Sequence, residues 1–171
     1  MQLRNACADD IPAIMSILDD GRRAQRRMCF RQWEDGYPSP ETIRDDIMYG
    51  YGVLLCDECI PVAYAALVPD DDGYMAVADR FSLHGRYMVI HRMAVADAYR
   101  GKGNATLFFS LLEERVALSG ISIICADTGA QNKVMLHLLE RLGYSCIGEL
   151  RFPWGLRYAF EKRITGYFSS M

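Results

Sequence analysis

The chain has 171 residues, 19 Lys and Arg against 22 Asp and Glu, and a formal net charge of −3. Its 51% hydrophobic and 24% charged content is ordinary globular composition, and the slight acidity argues against non-specific nucleic-acid binding, which needs a basic face. No apolar run reaches the roughly 18 residues that a membrane span needs, and Asp9 and Asp10 precede any apolar run, so no signal peptide is expected. This length predicts one domain, residues 1–171, large enough for a real core.

Leu3 to Ala6 reads as a first strand. Asp9 or Asp10 then caps a helix in which Ile11, Ile14, Met15 and Leu18 fall at helical spacing. Gly21 interrupts that pattern, and Arg22, Arg23, Arg26 and Arg27 follow as a solvated face or as a contact for an acidic ligand. Trp33 and Tyr37 lie in a loop. Ser39 caps a second helix, with Pro40 at its first position, Ile43 and Ile47 as its apolar stripe and Gly50 past its end. Tyr51 to Cys56 and Ile60 to Val68 predict a hairpin. Cys56 and Cys59 flank its turn. With no second ligand pair spaced for zinc, no metal is expected there, and the six cysteines suit a reducing cytoplasm. Cys125 and Cys146, in apolar runs, read as small buried hydrophobes.

Residues 74 to 85 carry no clear pattern, and Met75, Ala76 and Val77 suit helix or loop. Tyr87 to Val95 is a central strand, with Tyr87, Val89, His91 and Met93 on one face and Met88, Ile90, Arg92 and Ala94 on the other. A helix from about Asn104 to Ser119 is apolar on most sides and packs deeply. Ile121 to Ala126 is a strand, and Asp127-Thr128-Gly129 leads into a helix with Met135, Leu138, Leu139 and Leu142 on its buried face. Tyr144 to Leu150 and Tyr158 to Arg163, joined through Pro153-Trp154-Gly155, are the last strands.

Between the central strand and its helix stands Arg100-Gly101-Lys102-Gly103-Asn104-Ala105-Thr106. Small residues at 101, 103 and 105 let backbone N–H groups close on an anion, and the helix start adds its positive end. The P-loop pattern fails because Gly103 follows Gly101-Lys102 where Ser or Thr would belong. The dinucleotide fingerprint fails because Thr106 stands where a third glycine would. A seat for the pyrophosphate of a nucleotide-like cofactor remains.

Arg100-x-x-Gly103-x-Ala105 after a strand resembles the first signature of the GNAT superfamily of N-acetyltransferases. The run from Asp127 to Tyr144, with Asn132 opening a helix and Gly143-Tyr144 eleven residues on, resembles the second. Ile-His-Arg-Met-Ala-Val at 90–95 is similar to a bacterial subgroup without an assigned substrate. The resemblance implies an α/β (α+β) GNAT fold, a mixed and mostly antiparallel sheet of six or seven strands flanked by about four helices. It implies acetyl-CoA as cofactor. The backbone of Met93, Ala94 and Val95 would pair with the pantetheine amides. Arg100, Gly101, Lys102, Gly103, Asn104, Ala105 and Thr106 would form the pyrophosphate seat, and Asn132 would meet the pantetheine arm, cap its helix, or do both.

Acetyl transfer to an alkylamine needs the amine neutral, a state about one part in a thousand near pH 7.4 and costing ~4 kcal/mol to reach. An imidazole suits the proton relay. Arylalkylamine members of the superfamily carry such a histidine where His91 stands, and a second where this chain has Val89. The alternative for His91 is a packed strand residue. The superfamily's usual acid, a tyrosine seven residues after the helix-opening Asn, is replaced by Leu139, which leaves Tyr87, Tyr144 or an unassisted thiolate. The reading is an acetyltransferase acting on a primary amine of a small molecule or peptide, with a non-catalytic acyl-CoA-binding domain as the alternative. Trp33, Tyr37 and Tyr74 would line the acceptor slot or belong to core or dimer contacts. His84 reads as a surface turn residue. A homodimer is family habit, and neither nucleic acid nor membrane is an expected partner.

Overall fold

The computed structural model describes residues 1–30, 32–34, 36–75, 84–152 and 155–164. Its strands are β1 Gln2–Asn5, β2 Gly52–Asp57, β3 Ile60–Pro69, β4 Tyr87–Val95, β5 Ile123–Gly129, β6 Ser145–Phe152 and β7 Gly155–Arg163. They form one sheet in the order β1-β2-β3-β4-β5-β7-β6. The pairs β1–β2, β2–β3, β5–β7 and β6–β7 are antiparallel and β4–β5 is parallel. The helices are α1 Ile11–Arg27, α2 Pro40–Met48, the four-residue α3 Asp72–Met75, α4 Asn104–Leu118 and α5 Lys133–Arg141. This is the mixed, mostly antiparallel sheet with four principal helices that the sequence predicts.

The residues gather into two compact units. One comprises Met1–Leu67 and His91–Phe108, the other Val68–Ile90 and Phe109–Met171. In the first, Ile14 and Leu18 of α1, Ile43 of α2, Leu54 of β2, Tyr64 of β3 and Ala94 of β4 share one core. A fully buried aliphatic of this kind contributes about 1.5–3 kcal/mol. Helix α2 starts as its sequence dictates: the Ser39 hydroxyl accepts from the Thr42 N–H at 3.2 Å, with Pro40 in the first turn.

Helix α1 differs from expectation, because it runs through Gly21 to Arg27. Gly21 is there for room. A Cβ on it would lie 2.7 Å from Trp33 Cζ3 and 3.5 Å from Ala94 Cβ. The indole therefore lies flush on the helix backbone, and Trp33 is core rather than slot lining. At the helix start Asp10 occupies the cap position without capping α1. Its carboxylate receives both Arg4 Nη atoms at 2.6 Å and the Cys7 N–H at 2.8 Å. Those bonds, the Arg4 guanidinium first, hold the Asp10 carboxyl well below the usual carboxylate range against the opposing effect of burial.

In the second unit, Tyr74, Tyr87, Val89, Ile123, Cys125, Leu150 and Ala159 form the core. Tyr74 is thus also core. Asp127, Thr128 and Gly129 stay in β5 opposite Ala159, Tyr158 and Arg157 instead of leading into a helix. Arg157 explains it: its Nε pairs with the Asp127 carboxylate and its Nη2 donates to the Asp127 carbonyl at 2.9 Å, fastening β5 to β7. The Tyr74 hydroxyl donates to Asp127 Oδ1 at 3.2 Å, and burial first, then that carboxylate, pushes the phenol far up. Cys125 is buried as predicted, but Cys146 is exposed. It sits on an edge strand whose register shifts between Cys146 and Gly148, which turns the thiol outward. Ala76 and Val77, like Pro153 and Trp154, lie outside the described residues.

Two outcomes follow from these contacts. Gly21→Ala should lower stability by about 1 kcal/mol, read as a lower melting temperature, since overpacking against Trp33 (~1–3 kcal/mol) outweighs ~1 kcal/mol of helix propensity. Pairing it with Trp33→Phe should recover part of the loss. For Asp10, a depressed folded-state pKa means stability that is present above about pH 4 and lost as pH falls below it. Arg4 is over a third exposed, so Asp10→Asn should cost only about 1 kcal/mol at pH 7, and urea titrations should show wild type and variant converging between pH 5 and 2.

Candidate cofactor and active site

Strand β4 carries the candidate residues His91, Met93, Ala94 and Val95, and it is not regular. The Asp70 N–H donates to Tyr87 O at 3.2 Å and the Ala96 N–H to Val62 O at 2.8 Å. From Tyr87 to Ala96 is nine steps and from Asp70 back to Val62 is eight, so the β4 side has one residue more. Arg92 takes it up with φ +53°, the left-handed conformation of a β-bulge. The strict alternation expected along β4 therefore fails at this point. Tyr87 and Val89 do share the second unit's core, and Ala94 does pack in the first unit's core. His91 and Met93 are half-buried, and His91 Nε2 is shielded from solvent.

Arg92 is the residue sequence reasoning missed. Its Nε donates to Asp46 Oδ2 at 2.8 Å and its Nη2 to Asp46 Oδ1 at 2.5 Å. Tyr64 donates to Asp46 Oδ2 at 2.6 Å, and Arg92 Nη1 donates to the Tyr37 hydroxyl at 3.0 Å. The Asp46 side chain is 5% exposed and that of Arg92 13%. Burial, then the Asp46 charge, holds the Tyr64 phenol far above its ordinary value. A signal existed. Asp46 lies three residues after Ile43 on the apolar stripe of α2, where an acid needs a buried partner.

By strand alternation, Ala96 and Ala94 turn main-chain groups toward β3, while Met93 and Val95 turn theirs away. The parallel register of β4 with β5 runs from Tyr87–Ile123 to Ile90–Ala126, so β4 continues beyond it. The Val95 carbonyl is already taken by Arg100 Nε at 2.8 Å. Of the three residues expected to meet pantetheine, Met93 offers N–H and C=O, Val95 its N–H, and Ala94 faces β3.

The turn that follows is open. Gly101 and Gly103 have φ +71° and +80°, and an added Cβ would meet nothing within 4 Å at either. The Arg100 N–H donates to Asp97 O at 3.3 Å, and the first bond into α4 comes from Leu107 N to Gly103 O at 3.0 Å. The N–H groups of Gly101, Lys102 and Gly103, and those of Asn104 and Ala105 in the first turn of α4, have no backbone acceptor among the described residues. The side chains serve the turn itself. Arg100 also bonds Asp97 at 2.7 Å, Lys102 reaches Ala98 O at 2.8 Å, and Asn104 donates to Tyr99 O at 2.8 Å. Thr106 is half-buried. Asp20 accepts the Asp97 N–H at 2.8 Å and Arg27 bonds the Asp97 carboxylate at 2.9 Å, fastening the turn to α1. Of the predicted arginine face, Arg27 therefore does touch this region, and Arg22 holds the carbonyls of Tyr37 and Pro38.

Asn132 lies in the second unit. Its side chain accepts from the Met135 N–H at 3.2 Å, capping α5. Leu139 on that helix is fully buried. Tyr87 donates its hydroxyl to Asp71 O at 3.1 Å. Tyr144 stands edge-on to Phe109 at 5.8 Å beneath the Lys162 ammonium, with burial and Glu113 pushing its phenol far up. His84 is exposed.

The chain as a whole matches known proteins in sequence and fold. The profile of the Acetyltransferase (GNAT) family covers residues 17–144, which takes in β4, the turn and Asn132. The chain belongs to the GNAT family of acetyltransferases. A GNAT family acetyltransferase from Streptococcus agalactiae is 31% identical over 95% of this chain and 94% of its own, with a TM-score of 0.84. One from Listeria monocytogenes is 17% identical over 95% and 94%, with a TM-score of 0.75. A Salmonella typhimurium structure with its cofactor acetyl-CoA is 15% identical over 98% and 96%, with a TM-score of 0.65. The last two share the fold. No curated protein matches the sequence. As a family member the chain is an acetyltransferase, and a turn lined by unengaged N–H groups and clear of side chains fits a diphosphate. Among the described residues, no helix is long and apolar enough to cross a membrane.

At the turn, strain and crowding separate cleanly. Gly101→Ala and Gly103→Ala should each cost about 1 kcal/mol of stability from the left-handed backbone alone. Asn at either position should cost less in the same thermal melts, because it tolerates that conformation.

Proposed function

We propose that the enzyme moves the acetyl group from acetyl-CoA to a primary amine of a small molecule or peptide by direct attack, with no covalent enzyme intermediate. The open turn at 101–105, reached by a strand that runs on past its register with β5, carries this reading. Bound acetyl-CoA supplies the thioester whose carbonyl the amine attacks. The N–H groups of Gly101 to Ala105 hold the diphosphate. Met93 and the Val95 N–H bind the pantetheine amides, and Asn132 adds a contact to its capping role. The family match runs through both compact units, which supports reading them as one domain. All six cysteines are free, which supports a cytoplasmic setting. A homodimer remains the family habit.

His91 takes the ammonium proton, directly or through water, so that the neutral amine attacks. Leu139 cannot return a proton to the thiolate. Tyr87 is committed to Asp71 O, and Tyr144 is enclosed by Phe109 and Lys162. Solvent would therefore supply the proton that the coenzyme A thiolate takes up.

Calorimetry should show acetyl-CoA binding to the wild type, and a thiol-release assay over an amine panel should find an acceptor. His91→Ala should lower kcat about 100-fold near pH 7, with the deficit shrinking toward pH 9 as free amine becomes abundant. Full activity of the variant from pH 6 to 9 would remove the relay. Binding without turnover on any acceptor would remove the transfer.

A further inference from the structure

The one-residue surplus in β4 falls immediately between His91 and Met93, the two half-buried residues on which the proposed chemistry depends. Arginine has no intrinsic preference for φ +53°; L-residues other than Asn, Asp and Gly avoid that region. Something outside the strand must hold it there. The side chain leaves the bulge and ends in a fork on Asp46, with both guanidinium contacts at or under 2.8 Å. Such a planar, bidentate pairing fixes direction as well as distance. Asp46 is itself fixed by the Tyr64 hydroxyl at 2.6 Å. The anchor thus stands on two other elements, α2 and β3, and is almost fully removed from water.

We infer that Asp46, Arg92 and Tyr64 are positioning residues that lock the β4 bulge in its left-handed form and thereby aim the main-chain N–H and C=O of Met93 at acetyl-CoA. This rests on the functional reading above. None of the three touches the cofactor in it. They act through the backbone, and the bulge is a built-in kink that the ion pair keeps from relaxing into a regular strand.

The test exploits glycine, which adopts φ +53° without help. In an Asp46→Asn background, which removes the buried charge, Arg92→Ala and Arg92→Gly both delete the fork. Only the glycine keeps the bulge accessible. Calorimetric titration with acetyl-CoA should show the Ala double variant weakened about tenfold or more and the Gly double variant within about threefold of wild type. A purely structural role predicts equal affinity for the two doubles, because the bulge then persists without the fork and only their stabilities differ. Equal affinity for both doubles, or a weaker Gly variant, overturns the inference. If the doubles do not fold, Tyr64→Phe decides. Faster amide exchange at Met93 to Val95 together with weaker acetyl-CoA binding supports it, and no change in either overturns it. The wild-type titration separates the two proposals: wild type that does not bind acetyl-CoA sinks the functional reading and this inference with it, whereas wild type that binds alongside indifferent variants sinks only the inference.

Discussion

Arg92 holds a conformation that costs an L-residue roughly 1–2 kcal/mol, and it does so in the middle of a strand. The interaction that maintains it is a forked ion pair with Asp46, sheltered from water and shared with a tyrosine. Pairs of this kind are weak evidence for stability, since desolvating both charges offsets much of the attraction, yet removing one partner typically costs ~3–5 kcal/mol. Their use is in specifying geometry. From this one constraint follow the surplus residue in β4, the placement of Ala94 in the core against Trp33, and the direction in which the strand delivers Val95 to the turn.

The turn continues the same logic with smaller parts. Val95 O receives Arg100, Asp97 receives Arg100 and Arg27, and Asn104 reaches back to Tyr99. Each bond joins residues of the loop to each other, to the end of β4 or to α1. The polar side chains that make the motif recognisable are thereby spent on holding the main chain in place. What they leave facing outward is backbone.

Much of this was legible in the sequence, and for identifiable reasons. Strand and helix identities followed from apolar spacing, and the α2 start followed from Ser39 and Pro40, because those signals are local. The failures are non-local. Gly21 looks like a break until Trp33, twelve residues on, is seen lying against it. Asp127 to Gly129 look like a helix entry until Arg157 is found pinning them to β7. The bulge has no local signature at all, since arginine is not a left-handed residue; its cause sits 46 positions earlier in the chain, on a helix face where Asp46 breaks an apolar stripe. Trp33 and Tyr74 were ambiguous for the same reason. An aromatic ring's role is decided by what packs on it, and that is tertiary information.

Because Arg100 and Lys102 bond to the main-chain carbonyls of Val95 and Ala98, ions would be discriminated at this turn by the backbone. An anion seated on residues 101–105 meets oriented peptide dipoles at contact distance instead of mobile cationic side chains. Long-range attraction between full charges fades over a Debye length of about 8 Å in physiological salt, whereas short N–H contacts in a curved backbone are little affected by the surrounding electrolyte. Selection there would be by curvature and by the spacing of acceptor oxygens, so a chain with net charge −3 would hold a highly charged ligand without presenting a basic surface to every other polyanion it meets.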